Sequence, residues 1–253
     1  MSTNIKISII TATYNCVNTL TDCFSAVSRQ DYSNYEHIVV DGASTDGTVD
    51  LIHQNIHQIK VFTSAPDKGI YDALNKGLAL ASGDVIGFLH ADDLFASDNV
   101  LSKIAAVFDD PSVCAVYGDL QYVSKKNISN LIRCWRSSTF DKSDLVWGWM
   151  PPHPTLYVRR EWYQYIGAFD IKYQISGDYV SILRLFSQPD FKSVYVPMVF
   201  VLMRTGGKSN RSVRVILKKS MEDWRALRAF GFGIFGAVCA LLWKNIRKVE
   251  QLW

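Results

Sequence analysis

The chain opens on Ile5-Lys-Ile-Ser-Ile-Ile10, a β-branched apolar run that predicts a buried strand. Val17, Leu20, Phe24 and Val27 then recur at helical spacing, and His37-Ile-Val-Val40 reads as a second short strand. The alternation continues with a helix over residues 48–57 and a strand over 60–63. After these come a helix whose inner face is Ile70, Ala73, Leu74, Gly77, Leu78 and Ala81, and a strand over 85–89. This β-α-β-α order implies a mostly parallel sheet covered by helices. Residues 113–123 and 155–158 read as further strands, and a helix is predicted from 179 to 186. No Gly-x-Gly-x-x-Gly or Walker pattern falls at the strand ends of this alternation, so nothing marks it as a dinucleotide-binding or P-loop fold.

Polar residues gather where these strands end. Thr11-Ala-Thr-Tyr-Asn15 follows the first, Asp41-Gly-Ala-Ser-Thr-Asp-Gly47 the second, Ser64-Ala-Pro-Asp-Lys-Gly69 the third and Asp92-Asp93 the fourth. Ligands of open α/β sheets collect beyond the carboxyl ends of the strands, which makes this line of residues a candidate site. Plainer readings stand beside it: Asp46 as a helix cap and Lys68 as an ordinary surface lysine. Adjacent carboxylates raise one another's pKa unless a cation or donors compensate, and a divalent metal would remove that conflict at Asp92-Asp93.

With 253 residues and 48% hydrophobic content, the chain can bury one large core or a core plus an appendage. Its five cysteines are odd in number and lack Cys-x-x-Cys spacing, which argues against a disulfide scaffold or a zinc site. The apolar start is too short for a signal peptide or a spanning helix, so the catalytic part is expected on the cytoplasmic side. The net charge of +3 conceals an asymmetry: residues 204–253 carry eleven Lys/Arg against Glu222, Asp223 and Glu250, leaving an acidic body. In this tail Arg211, Arg214, Lys218, Lys219, Arg225 and Arg228 alternate with Val215, Leu217, Met221, Trp224 and Leu227. Residues 230–243 are mostly apolar but short for a bilayer span. A peripheral contact with an anionic membrane surface fits this pattern. A helix covering the domain, or a homo-oligomer contact, fits it also. The acidic body disfavours nucleic acid.

Taken in order, SIITATYN, VVDGASTDGT, APDKGIYDALNKGLALASGD, GFLHADD, PPHPTLYVRREWYQYIGAFD and ISGDY run from residue 8 to residue 179, within a resemblance that covers roughly residues 5–210. The combination resembles the family-two glycosyltransferases of the GT-A fold, and above all the bacterial members that build O-antigen, capsule and exopolysaccharide. The resemblance implies an α/β fold: a Rossmann-like, nucleotide-sugar-binding mixed sheet flanked by helices over residues 1–210, with a basic helical extension over 211–253. It also implies inverting transfer of one sugar from a nucleotide-sugar, commonly a UDP-sugar, to a saccharide acceptor. That acceptor would be polyprenyl-diphosphate-linked and presented at the inner face of the cell membrane. The Gln-x-x-Arg-Trp motif of the processive synthases is absent. The rival readings are a nucleotidyltransferase and a catalytically silent nucleotide-sugar-binding subunit.

Carried over residue by residue, the resemblance places Asp41 on the base, Thr11 and Tyr14 around it, and Asp67 and Lys68 where the family closes over the nucleotide. Asp92 matches the metal-binding end of the family's Asp-x-Asp motif, so Mn2+ or Mg2+ is the implied cofactor, with Asp93 as a further metal contact. His90 stands where many relatives carry an acidic or small polar residue; contact or packing suits it better than metal ligation. Trp149 and His153, in the stretch Trp147-Gly-Trp-Met-Pro-Pro-His-Pro154, are acceptor candidates, although Trp147 and Trp149 could instead close a core. Asp178 matches the catalytic base, with Gly177 where a glutamate is usual; capping the next helix is its alternative role. Residues 203–210 resemble a flexible loop from which Arg204 or Lys208 would pair with the diphosphate.

Overall fold

The computed structural model describes residues 4–205 and 213–250. Its strands are β1 (Ile7–Thr13), β2 (Tyr35–Asp41), β3 (Val61–Ser64), β4 (Val85–Phe88), β5 (Leu94–Phe95), β6 (Ala115–Val123), β7 (Leu131–Trp135), β8 (Tyr157–Arg159) and β9 (Ser193–Arg204). The helices are α1 (Val17–Ser28), α2 (Thr48–Gln54), α3 (Ile70–Leu80), α4 (Val100–Val107), α5 (Arg160–Ile166), α6 (Gly177–Phe186), α7 (Val213–Ala229) and α8 (Ile234–Glu250). The strands form one mixed sheet in the order β3-β2-β1-β4-β8-β6-β9-β5, with β7 beside β6.

The first four strands are parallel, as the alternation predicts. The far half is not: β8 runs antiparallel to both β4 and β6, and β5 antiparallel to β9. Register brings the four parallel ends level. Thr13 pairs with Asp41, Asp41 with Ser64, and Ile10 with Phe88, so the polar stretches after β1 to β4 emerge along one edge.

Both faces of the sheet are covered, which explains why the adjacent β1 residues Ile9 and Ile10, on opposite faces, are both apolar and buried. Ile7 and Ile9 pack with Leu20 and Phe24 of α1 and Ile104 of α4, whereas Ile10 packs with Leu74 of α3 and Tyr179 of α6. Close approach is built in at two glycines. A Cβ on Gly77 would sit 2.4 Å from Ile10 Cγ2, and one on Gly87 would sit 2.1 Å from the Tyr157 ring.

The basic tail folds as a hairpin of α7 and α8 whose small residues Ala226, Ala237 and Ala240 join the same core as α6. Gly148, at φ +67°, lets the chain pass close to α8: a Cβ there would lie 2.6 Å from the Ala240 carbonyl. Leu227 joins them, but several large apolar residues of the hairpin point the other way. Leu217 and Met221, expected on an apolar face, are each 60% exposed, and Ile234, Phe235 and Leu242 of α8 are exposed with them. No described helix is long and apolar enough to cross a membrane.

Candidate active site

Asp41 ends β2 in a nest of donors. Thr13 Oγ1 donates to it at 2.9 Å, the Ser44 amide at 2.9 Å and Ser64 Oγ at 2.7 Å, and the Ser44 hydroxyl also donates. Burial opposes its charge, but these donors, Ser44 foremost, hold its carboxyl below the usual range. A carboxylate has about four acceptor positions, and all are occupied by the protein. Asp41, expected on the base, is fully buried and shapes the turn that carries Gly42.

Thr11, expected near the base, is enclosed likewise. It lies inside β1, fully buried, with its hydroxyl 2.9 Å from His37 Nε2, so it faces the core and not a ligand. Tyr14, just beyond β1, is 51% exposed. Asp67 and Tyr14 converge on Gly42, where a Cβ would lie 2.4 Å from Asp67 Oδ2 and 3.3 Å from the Tyr14 ring. Asp67 also accepts the Gly69 amide at 2.8 Å, and Lys68 beside it is exposed. Asp46 ties two helix starts together by accepting the amides of Val17 at 3.2 Å and Thr48 at 3.0 Å.

At the end of β4, His90 and Asp92 are partly exposed while Asp93 is wholly enclosed. Neither Asp93 oxygen has a partner in hydrogen-bonding geometry, and burial, reinforced by Asp92, pushes its pKa well above the carboxylate range. Of the two expected metal ligands, Asp92 is therefore the one that faces solvent, with Asp93 enclosed behind it. Among the described residues no three His, Cys, Asp or Glu side chains converge as a metal site. The donor set fits a hard cation that takes one carboxylate and completes its shell with phosphate oxygens and water.

Arg204 ends β9 instead of riding a flexible loop. Its guanidinium donates to the Asp92 carbonyl at 3.2 Å and to Asp22, so it braces the Asp92 turn and is 7% exposed. Lys208 lies outside the described residues. Trp149 packs as its core reading expects: it is 4% exposed, set among Phe140, Tyr117 and Phe186, and its indole donates to Ser138 at 3.3 Å. Trp147 is the exposed tryptophan of that stretch, and it packs near Trp243 of α8.

His153 is buried on the stacked face of Phe88, 5.2 Å between centroids, with Phe169 at its edge. Burial lowers its pKa to about 4 despite the pull of Asp178, so it is neutral at physiological pH. His90, 6.5 Å away between centroids, is lowered by burial against the opposing pull of Asp92 and Asp178. These interactions bring residues 90, 92, 153 and 178 into one locale.

Asp178 lies within the first turn of α6, one residue past the helix start, so it does not occupy the cap position held by Ser176. Its Oδ1 accepts the Tyr179 amide at 2.8 Å and lies 3.2 Å from the Tyr71 hydroxyl. Tyr71, which the sequence pattern does not single out, explains the departure at Gly177. A Cβ on Gly177 would meet the Tyr71 ring at 2.8 Å, so the ring fills the space a glutamate would need. Next to it a cavity of about 310 Å³ is lined by Lys68, Gly69, Tyr71, Asp72, Ile171 and Tyr173.

The family model "Glycosyl transferase family 2" matches residues 8–183. A Mycobacterium bovis PGL/p-HBAD biosynthesis glycosyltransferase is 31% identical over 212 residues, covering 81% of this chain and 80% of that one. An Escherichia coli UDP-Glc:alpha-D-GlcNAc-diphosphoundecaprenol beta-1,3-glucosyltransferase is 28% identical over 54% of each chain. In fold, the chain is similar to a Pyrobaculum calidifontis mannosyltransferase solved with GDP-Man and Mn2+, at TM-score 0.67 and 19% identity over 94% of this chain and 70% of that one. It also spans 44% of Staphylococcus aureus TarS, with 91% of this chain covered, TM-score 0.63 and 16% identity. The chain is a sugar-transferring enzyme and belongs to glycosyl transferase family 2.

Proposed function

We propose that this enzyme has the GT-A form of the fold and moves one sugar, with inversion, from a nucleotide-sugar to a lipid-linked saccharide in surface polysaccharide biosynthesis. The observation that carries the reading is that the polar ends of β1 to β4 emerge along one edge, where His90, two residues before Asp92, lies 6.5 Å between ring centroids from His153. On this reading Asp92 is the carboxylate on the phosphate side and Asp178 the one on the acceptor side.

Tyr14, Gly42 and Asp67 form the wall against which the nucleotide lies, with Asp41 fixing the turn beneath. Lys68 supplies positive charge toward the diphosphate. Asp92 would hold Mn2+ or Mg2+, whose chemistry here is to stabilise charge on the departing nucleoside diphosphate. Asp178 takes the proton of the acceptor hydroxyl as its oxygen bonds to the anomeric carbon and the bond to the diphosphate breaks on the opposite face. His90 and His153, both neutral, line this space without adding charge. The E. coli relative, named for a diphosphoundecaprenol-linked acceptor and a UDP donor, supports this substrate class. The exposed apolar face of α7 and α8, set among basic residues, supports a peripheral place at the inner membrane face.

The test combines purified protein, UDP- and GDP-sugars, Mn2+ and a polyprenyl-diphosphate-linked saccharide. Release of UDP or GDP with a single added sugar is expected, lost in Asp92→Ala. Release of pyrophosphate, or no product with any donor, would overturn the reading.

A further inference from the structure

The segment that leads into Asp178 is gripped from outside the sheet. The amides of Gln174, Ile175 and Ser176 all point at one carboxylate, that of Glu222 on α7, at 3.1, 2.8 and 3.0 Å. Three successive backbone N–H groups turned to one side form an anion-binding concavity, and here a side chain of the chain's own tail fills it. Glu222 is 4% exposed, so these are buried, charge-assisted bonds. On the opposite side the Tyr71 hydroxyl donates to the Ile175 carbonyl at 2.7 Å. Ile175 is thus held at both its amide and its carbonyl, three residues ahead of Asp178.

The next residue anchors the grip. Asp223 pairs with Lys244 of α8 at 3.0 Å and with Lys219 at 3.6 Å, both partners of the first pair being buried. Lys244 Nζ in turn lies 3.3 Å from the ring centroid of Tyr179, the residue after Asp178. The hairpin therefore touches the Asp178 turn from both sequence directions, through the amides before it and the ring after it.

We infer that Glu222 is a positioning residue for the catalytic aspartate, so that the tail hairpin is part of the turnover machinery. The inference rests on the reading of Asp178 as the general base. Glu222→Gln keeps the shape of the side chain but replaces one acceptor oxygen with a donor that faces an amide, which displaces the segment. A displacement of about an ångström at a reacting group can lower a rate on the order of 10²-fold.

The experiment measures kcat, donor KM and nucleotide binding for Glu222→Gln beside two controls. Leu227→Ala, at a buried residue of the same helix that is not the hydrogen-bond partner of the 174–176 amides, reports what loosening of the hairpin alone does. Asp178→Asn reports the base. The expected result is a fall in kcat of about 10- to 100-fold for Glu222→Gln at nearly unchanged donor KM and nucleotide binding. Leu227→Ala should lose only stability, with turnover per folded molecule retained. If Glu222→Gln turns over like the parent protein, or loses turnover only as Leu227→Ala does, while Asp178→Asn is inactive, the inference falls and the base assignment stands. If Asp178→Asn itself retains full turnover, the base assignment falls and the reason for a positioning role falls with it.

Discussion

Tyr71 and Asp178 are 107 positions apart in sequence, yet the tyrosine hydroxyl lies 3.2 Å from the aspartate Oδ1. The hydroxyl has one proton, and its shorter contact, 2.7 Å, is to the Ile175 carbonyl. Burial, then the charge of Asp178, pushes the phenol pKa up, so Tyr71 stays a donor across the working pH range.

Tyr71→Phe removes that donor while keeping the ring that packs on Gly177. Loss of one hydrogen bond in a buried setting is worth about 1–2 kcal/mol, which corresponds to a fall in kcat of roughly 5- to 30-fold if the bond holds the aspartate in place. Steady-state kinetics with saturating donor measure this. An unchanged kcat would show that the ring alone matters.

Gly177→Ala places a methyl group at 2.8 Å from the same ring. Overpacking of a closed site typically costs about 1–3 kcal/mol, and a loss of that size is expected in denaturant unfolding. Combined with Tyr71→Leu, the penalty should shrink, because the substitution removes the atoms it strikes. Additive losses in the double variant would refute the steric account.

His37 gives the stability a pH dependence. Burial lowers its pKa from 6.5 to about 4, so between these values the unfolded chain binds a proton that the folded chain does not. Stability is complete above pH 6.5 and declines as pH falls toward 4, by at most about 3 kcal/mol from this residue. Glu36 acts in a lower window. Burial opposes its charge, but Lys6, Ser8 and Ser82 outweigh that and hold it at about 2, so its contribution is lost only as pH falls from 4.5 toward 2. Unfolding at pH 7, 5.5 and 4.5 should show the first slope, and His37→Gln should flatten it.

Phe235 is 83% exposed on α8 and faces away from the core. Phe235→Glu should lower binding to anionic phospholipid vesicles by about tenfold or more, since it removes apolar area and adds a repelled charge. Turnover on a detergent-solubilised acceptor should be retained. Co-sedimentation with vesicles decides the matter, and wild-type binding by the variant would move the contact elsewhere.

Much of the near half of the fold is legible in the sequence, because local periodicity is strong where strand and helix alternate and both sheet faces are covered. The far half is less so. β5 has two residues, β7 is an exposed strand, and β9 carries Pro197 and register shifts against β6, so none offers a clean period. At the site, the line of polar strand ends was readable, and the exposure of Tyr14 and Asp92 agrees with it. The enclosure of Thr11, Asp41 and Asp93 was not, because each depends on partners from another strand or on the packing of a turn. Trp149 offered two readings, and Phe186 and Tyr117, distant in sequence, decide for the core. Tyr71 and Glu222 carried no local signal: a tyrosine on a helix and a glutamate in a basic tail become meaningful only once tertiary contacts bring them to residues 174–178.

The matched family region ends at residue 183, whereas the carboxylate that holds the 174–176 amides lies at 222. Changes confined to the tail could therefore retune turnover while every motif residue stays untouched. On the roles proposed for the two faces of the hairpin, deleting it is expected to abolish surface attachment and catalysis together, whereas substitutions on its outer face are expected to separate them.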